Sequence, residues 1–227
     1  MRRLLFFVLA ACCLSVRAQV PTDQLAKPPA DARHFVIQST GGQHGQSWLW
    51  TDADGSVRGR ESMNLRGQVF ELDSTMKSGA DGMPARLEVR GVTPSGDAGE
   101  TFAVTAGRAA WKSQIDAGTT AYAAPAFYVA TGGPVAVLAT FIERTLAAPE
   151  RTLALLPGGR VRAEKLTSVE VGAGSTRQTV TAWALSGISN TVLPVWADAN
   201  GRFFGLAFGM AWLPDAYTGE QKKLEDA

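Results

Sequence analysis

The sequence predicts a mainly β protein: a strongly curved antiparallel sheet, half-barrel-like, packed on one central helix, and so α+β by strict count. Three observations predict this. Short runs alternating apolar and polar residues recur along most of the chain, separated by clusters of Gly, Pro, Asp and Asn. After the N-terminus only one segment, 134–148, carries a helical period. Long β-type stretches stand on both sides of it, and a lone helix among strands must bury its apolar face against a sheet.

The N-terminus is a targeting signal. Arg2 and Arg3 precede an apolar run from Leu4 to Leu14, and Val16-Arg17-Ala18 offers small residues where a signal peptidase cuts. Cleavage after Ala18 is expected, leaving Gln19 first in a periplasmic or secreted protein. A second reading takes Leu9-Ala10-Ala11-Cys12 as a lipoprotein box acylated at Cys12, which leaves a signal shorter than the usual roughly 15–30 residues. The apolar run falls short of the ~20 residues of a spanning helix, and no later stretch is apolar enough to span. Removing residues 1–18 takes three arginines and no acid, moving the formal net charge from +1 to −2. That balance carries no nucleic-acid footprint. Both cysteines, Cys12 and Cys13, lie in the signal, so the mature chain has no disulfide, thiolate metal site or cysteine nucleophile.

Residues 19–32 are rich in proline and alanine and predict a flexible leader. A single domain is expected over 33–214. His34 to Thr40 is its first strand, and Gly41 to Gly45 turns the chain. Gln46 to Thr51 alternates with Trp48 and Trp50 on one face. Asp52-Ala53-Asp54-Gly55 is a hairpin turn, and Ser56 to Met63 returns. Gln68 to Met76 has Phe70, Leu72 and Ser74 on one side. Ala85 to Thr93 places Leu87 and Val89 inward. Glu100 to Ala106 and Ala109 to Ile115 pair across Gly107-Arg108, and Asp116 to Pro125 is a small-residue loop.

In the helix, Val135, Leu138, Ile142 and Leu146 share a face with Val137 and Phe141 beside them. Glu143, Arg144 and Thr145 form a narrow polar side. Pro134 suits the first turn, and Pro149 stops the helix by pushing Ala148 out of the α region. Thr152 to Leu156, Arg160 to Val171, Thr176 to Leu185, Thr191 to Trp196 and Arg202 to Leu213 are the strands that follow. Trp196-Ala197-Asp198-Ala199-Asn200-Gly201 echoes Trp50-Thr51-Asp52-Ala53-Asp54-Gly55, the same Asp-to-Gly hairpin device used twice. Residues 215–227 form a charged tail or the start of a linker to a missing domain.

Catalytic signatures are missing from the sequence. Only His34 and His44 exist, without metal-ligand spacing. Asp52, Asp54, Gly55 and Glu61 match part of a calcium loop, but Trp50 stands where its first ligand belongs. There is no Gly-x-Ser-x-Gly elbow and no phosphate-binding glycine motif. Glu88, Glu100, Glu143, Glu164 and Glu170 read as surface residues. No catalytic, metal or cofactor residue is assigned, and no cofactor is expected. The aromatics are the remaining constellation. They suit a sheet core, and a sharper reading places Trp48, Trp50, Trp111, Phe141, Trp183 and Trp196 around an apolar groove.

Residues 33–217 contain a series of motifs: Phe35-Val36-Ile37, the Asp54-Gly55 hairpin, Ala110-Trp111-Lys112, Pro125 to Val129, Leu155 to Gly159, Thr181 to Ile188, Pro194 to Asp198, and Gly205 to Pro214 with Tyr217. In this order the series resembles the N-terminal β-rich region of exported bacterial amidohydrolases, the imidazolonepropionase-like metal-dependent hydrolases. In that family the metal ligands sit in a downstream barrel that begins with a His-x-His, a motif this chain lacks. The resemblance therefore implies a non-catalytic accessory domain, inactive alone, with a downstream amidohydrolase barrel as its partner. The alternative is a periplasmic carrier of half-barrel type that binds a lipid or other apolar ligand.

Overall fold

A computed structural model describes residues 20–123 and 125–227; the predicted signal peptide lies outside the described residues. In chain order the strands are β1 (Arg33–Ser39), β2 (Gly42–Thr51), β3 (Val57–Leu65), β4 (Gln68–Ser78), β5 (Pro84–Thr93), the two-residue β6 (Gly96–Asp97), β7 (Glu100–Thr105), β8 (Arg108–Lys112), β9 (Ala117–Ala121), β10 (Ala126–Tyr128), β11 (Thr152–Leu156), β12 (Arg160–Val171), β13 (Gln178–Ser186), β14 (Leu193–Asp198), β15 (Phe203–Phe208) and β16 (Met210–Pro214). Helix α1 (Val135–Ala147) separates β10 from β11, and α2 (Gln221–Asp226) follows β16.

All the strands join one sheet. Its path runs from β10 through β11 to β16, then from β1 through β5 to β7, β8 and β9, with β6 beside β5. The chain's two halves meet where β16 pairs with β1. Every pairing is antiparallel except β10 with β11, where α1 is the crossover that returns the chain in the same direction. The expected curved sheet around a helix is thus present, with one parallel step that hydrophobic period alone does not reveal.

The β10 end of this sheet comes back against β7, near the other end. Tyr128 of β10 stacks on Phe102 of β7 with ring centroids 4.4 Å apart. Beside them Glu100 is buried and accepts hydrogen bonds from the Tyr128 hydroxyl at 2.6 Å, the Thr131 hydroxyl at 2.6 Å and the Thr131 N–H at 3.0 Å. Burial and this carboxylate push the Tyr128 phenol well above its ordinary value. Glu100 is therefore a structural acceptor at the closure, not the surface residue expected.

Helix α1 fills the concave face, packing on β2, β3 and β4 on one side and β11, β12 and β15 on the other. Its floor includes the small residues Ser47, Gly59 and Ser74. Strand register lines up Ser47, Glu61 and Leu72 in one inward rung and Leu49, Gly59 and Ser74 in the next. A side chain at Gly59 would lie 2.6 Å from the Ala136 Cβ and 2.8 Å from the Pro134 Cγ. Gly59 is the position that permits this close approach. Thr145, expected on the polar side, is buried and donates to the Phe141 carbonyl at 2.9 Å. Glu143 accepts from the Phe203 N–H at 3.0 Å and pairs with Arg33 at 3.5 Å, tying the helix to β15 and β1.

Both expected hairpin turns form with the same hydrogen bonds. The Asp52 N–H donates to Ser56 and the Gly55 N–H to Asp52; the Asp198 N–H donates to Arg202 and the Gly201 N–H to Asp198, at 2.9–3.0 Å. Gly55 and Gly201 have φ of 80° and 75°, in the left-handed region glycine favours. The predicted 116–125 loop instead contains β9, and the predicted 202–213 strand breaks into β15 and β16 at Gly209. Small residues hide β9 from a hydrophobicity pattern: Gly118 lies under the Trp111 ring, where any side chain would collide.

The two flanking segments are docked onto the sheet. In the leader, Leu25 is buried and the Ala26 N–H donates to Asp73 at 2.7 Å; Arg90 holds the other side of Asp73. After Pro214 the chain folds as a 3-10 turn and α2 against the outer face. Leu224 and Trp196 are buried there in a second cluster with Phe204 and Leu213. Tyr217 packs edge-on against Phe204 and donates to the Thr176 carbonyl at 2.7 Å. Among the described residues no helix is long and apolar enough to cross a membrane.

Candidate functional site

A cavity of about 270 Å³ opens beside the first turn of α1. Its walls come from four parts of the chain. Helix α1 supplies Val137, Leu138 and Phe141, and the loop after β10 supplies Val129, Ala130 and Gly132 to Pro134. Leu193, Leu206, Phe208 and Trp212 come from β14, β15 and β16, and Glu61 comes from β3. The walls are predominantly apolar, and Phe208 is 47% exposed.

Glu61 is the only titratable side chain among the described residues of this lining. It is 6% exposed, on the inward face of β3 in phase with Gly59 and Met63. Its Oε2 accepts from the N–H of Val135, the first residue of α1, at 3.1 Å. The helix has no capping side chain of its own, since Pro134 precedes it, so a strand 74 residues earlier supplies the anion its N-terminus attracts. Burial pushes the Glu61 pKa upward. The Val135 N–H, the Ser47 and Trp212 side chains and Arg60 pull the other way with smaller effect.

That shift has a sign that can be tested. The folded-state value lies above the ordinary 4.5, so the folded protein holds this proton more tightly than the unfolded chain. The associated stability is complete below the unfolded value and is lost as pH rises through the folded one. Glu61→Gln removes this linkage. Urea melts at matched pH should show wild-type stability falling relative to Glu61→Gln as pH rises above 4.5. Parallel profiles would contradict the assignment.

Of the six residues expected around an apolar groove, only Phe141 lines this cavity. Trp48 and Trp50 point outward: Ser47 and Leu49 take the inward positions, because the floor under α1 has no room for indoles. Trp48 stacks on His34 at 5.2 Å, and Trp50 donates to Asp52 at 2.9 Å. Trp111 lies on the concave side near Tyr128 and donates to Asp116 at 2.7 Å. Trp183 packs against the main core under the Arg151 guanidinium, 4.8 Å from its ring centre. Trp196 is in the outer cluster beneath the C-terminal segment. The structure does not bring these five to one site. Sequence reading missed Trp212 and Glu61 as lining residues. The available signal was the two-residue period that places Glu61 with Gly59 and Met63.

The histidines are occupied elsewhere. His34 contacts Asp215 at 2.7 Å and Gln46 at 3.0 Å, and His44 contacts Ser39 at 2.7 Å. Among the described residues no group of three His, Cys, Asp or Glu side chains could hold a metal ion. Chemically, then, the site offers an apolar chamber with one carboxyl group in its wall. Comparison with protein-family models, with curated proteins and with solved structures finds no match.

Proposed function

We propose that this is an exported binding protein that carries an apolar ligand in the open end of a half-barrel. The observation that supports the reading is the chamber between α1 and the sheet: apolar walls, one polar group, and an exposed phenylalanine at Phe208. Such chambers are the usual form of small-molecule sites, and at about 270 Å³ this one falls just below their usual range of roughly 300–1,000 Å³. A single hydrocarbon chain or a small apolar molecule suits that volume, and a two-chain lipid does not. The proposed role needs no catalytic group.

The accessory-region reading rests on the ordered motifs that resemble exported amidohydrolases. It calls for a bare docking surface around Tyr217 to Ala227. Leu224 and Gln221 are instead buried against the sheet, which favours the carrier. The test is organic extraction of protein purified under native conditions, followed by mass spectrometry. One amphiphile or apolar molecule per chain, enriched over a mock preparation, is expected; extracts indistinguishable from the mock would count against a carrier.

A further inference from the structure

We infer that the chamber takes a single-chain amphiphile whose polar end donates a hydrogen bond or carries a positive charge, and that Glu61 selects it. This rests on the apolar-ligand reading and deepens it by naming the ligand class.

Three observations lead there. Glu61 is the sole titratable group among the described lining residues, so it dominates how the chamber treats a polar end. A carboxylate has about four acceptor sites; the Val135 N–H takes one at Oε2, and the Ser47 and Trp212 side chains are close enough to act on others, which leaves about one for a ligand. The nearest cation does not neutralise it from the chamber side. Arg60 faces outward, bonded to Glu71 and to the carbonyls of Glu61 and Leu72. In apolar surroundings a charge interacts strongly with its neighbours, and an unpaired charge is costly. A ligand ending in carboxylate or phosphate would set a second anion against Glu61, and two like charges cannot both stay ionised there without penalty. An ammonium, amine or hydroxyl end meets an acceptor instead.

The test compares ten-carbon ligands that differ only at the end: decylammonium, decanol and decanoate. Each competes with a neutral naphthalene reporter, at a pH well above the carboxylate range. Wild-type protein is expected to bind decylammonium about tenfold or more tighter than decanoate, a difference of one wrong charge at close range, with decanol between them. Glu61→Gln keeps a carbonyl acceptor for Val135 and should compress the ratio to about threefold or less. Decanoate binding as tightly as decylammonium to wild-type protein would overturn the inference, whether or not the variant folds. An unchanged ratio in a folded Glu61→Gln protein would overturn it too. If the reporter does not bind and none of the three ligands does, the apolar-ligand reading itself falls, and the inference with it.

Discussion

Gly59→Leu is expected to lower stability by about 3 kcal/mol, the upper end of what overpacking typically costs. The reason is local and steric. The first side-chain carbon alone would stand 2.6 Å from Ala136 and 2.8 Å from both Pro134 and Ser74. These neighbours belong to the helix and the adjoining strand, so relief requires α1 to lift from its floor. For a chain of this size the loss corresponds to a fall in melting temperature of about 6–12 °C. The lift should also deform the chamber, which shares Pro134 with the contact. Gly158→Ala is the control. No atom lies within 4 Å of a side chain there, and the change should stay within about 0.5 kcal/mol. Thermal melts of the two variants check both statements, and a Gly59→Leu protein as stable as wild type would show that α1 does not sit this close.

Glu100→Ala should cost about 3 kcal/mol as well, by a different mechanism. The substitution removes the acceptor for the Tyr128 hydroxyl and for two donors of Thr131. Tyr128 is 1% exposed, so its hydroxyl cannot turn to water. Because these bonds join β7 to the far end of the sheet, hydrogen exchange should accelerate most around β7 and β10. A double-mutant cycle with Tyr128→Phe should show non-additive losses, since the two residues share one bond. Additive losses, or uniform acceleration across the sheet, would contradict a closure held at this point.

The fold was legible in the sequence wherever period and turn chemistry agreed. Leu87 and Val89 alternate inward as expected, and the Asp-to-Gly turns at 52–55 and 198–201 end the strands they were expected to end. Legibility failed where residues are small or where burial depends on distant partners. Strand β9, Ala117 to Ala121, has no large apolar residue to show a period. The site was less legible than the fold. Trp48 and Trp50 share a face, but nothing local says that the face is the outer one. That is decided by α1, which needs the small residues Ser47 and Gly59 beneath it. Glu61 and Glu100 look like surface carboxylates because their partners, Val135, Tyr128 and Thr131, lie far along the chain.

The most direct test of the central claim is a fluorescence titration of an apolar reporter into wild-type protein and into Ala130→Trp. Ala130 is partly exposed and lines the chamber, so an indole there can occupy the space without entering the packed core. The account predicts one saturable site in the wild type. In Ala130→Trp it predicts affinity weakened about tenfold or more, an unfavourable change of about 1.4 kcal/mol, with an unchanged urea midpoint. Absence of saturable binding to wild-type protein, or equal affinity in a folded Ala130→Trp, would contradict it.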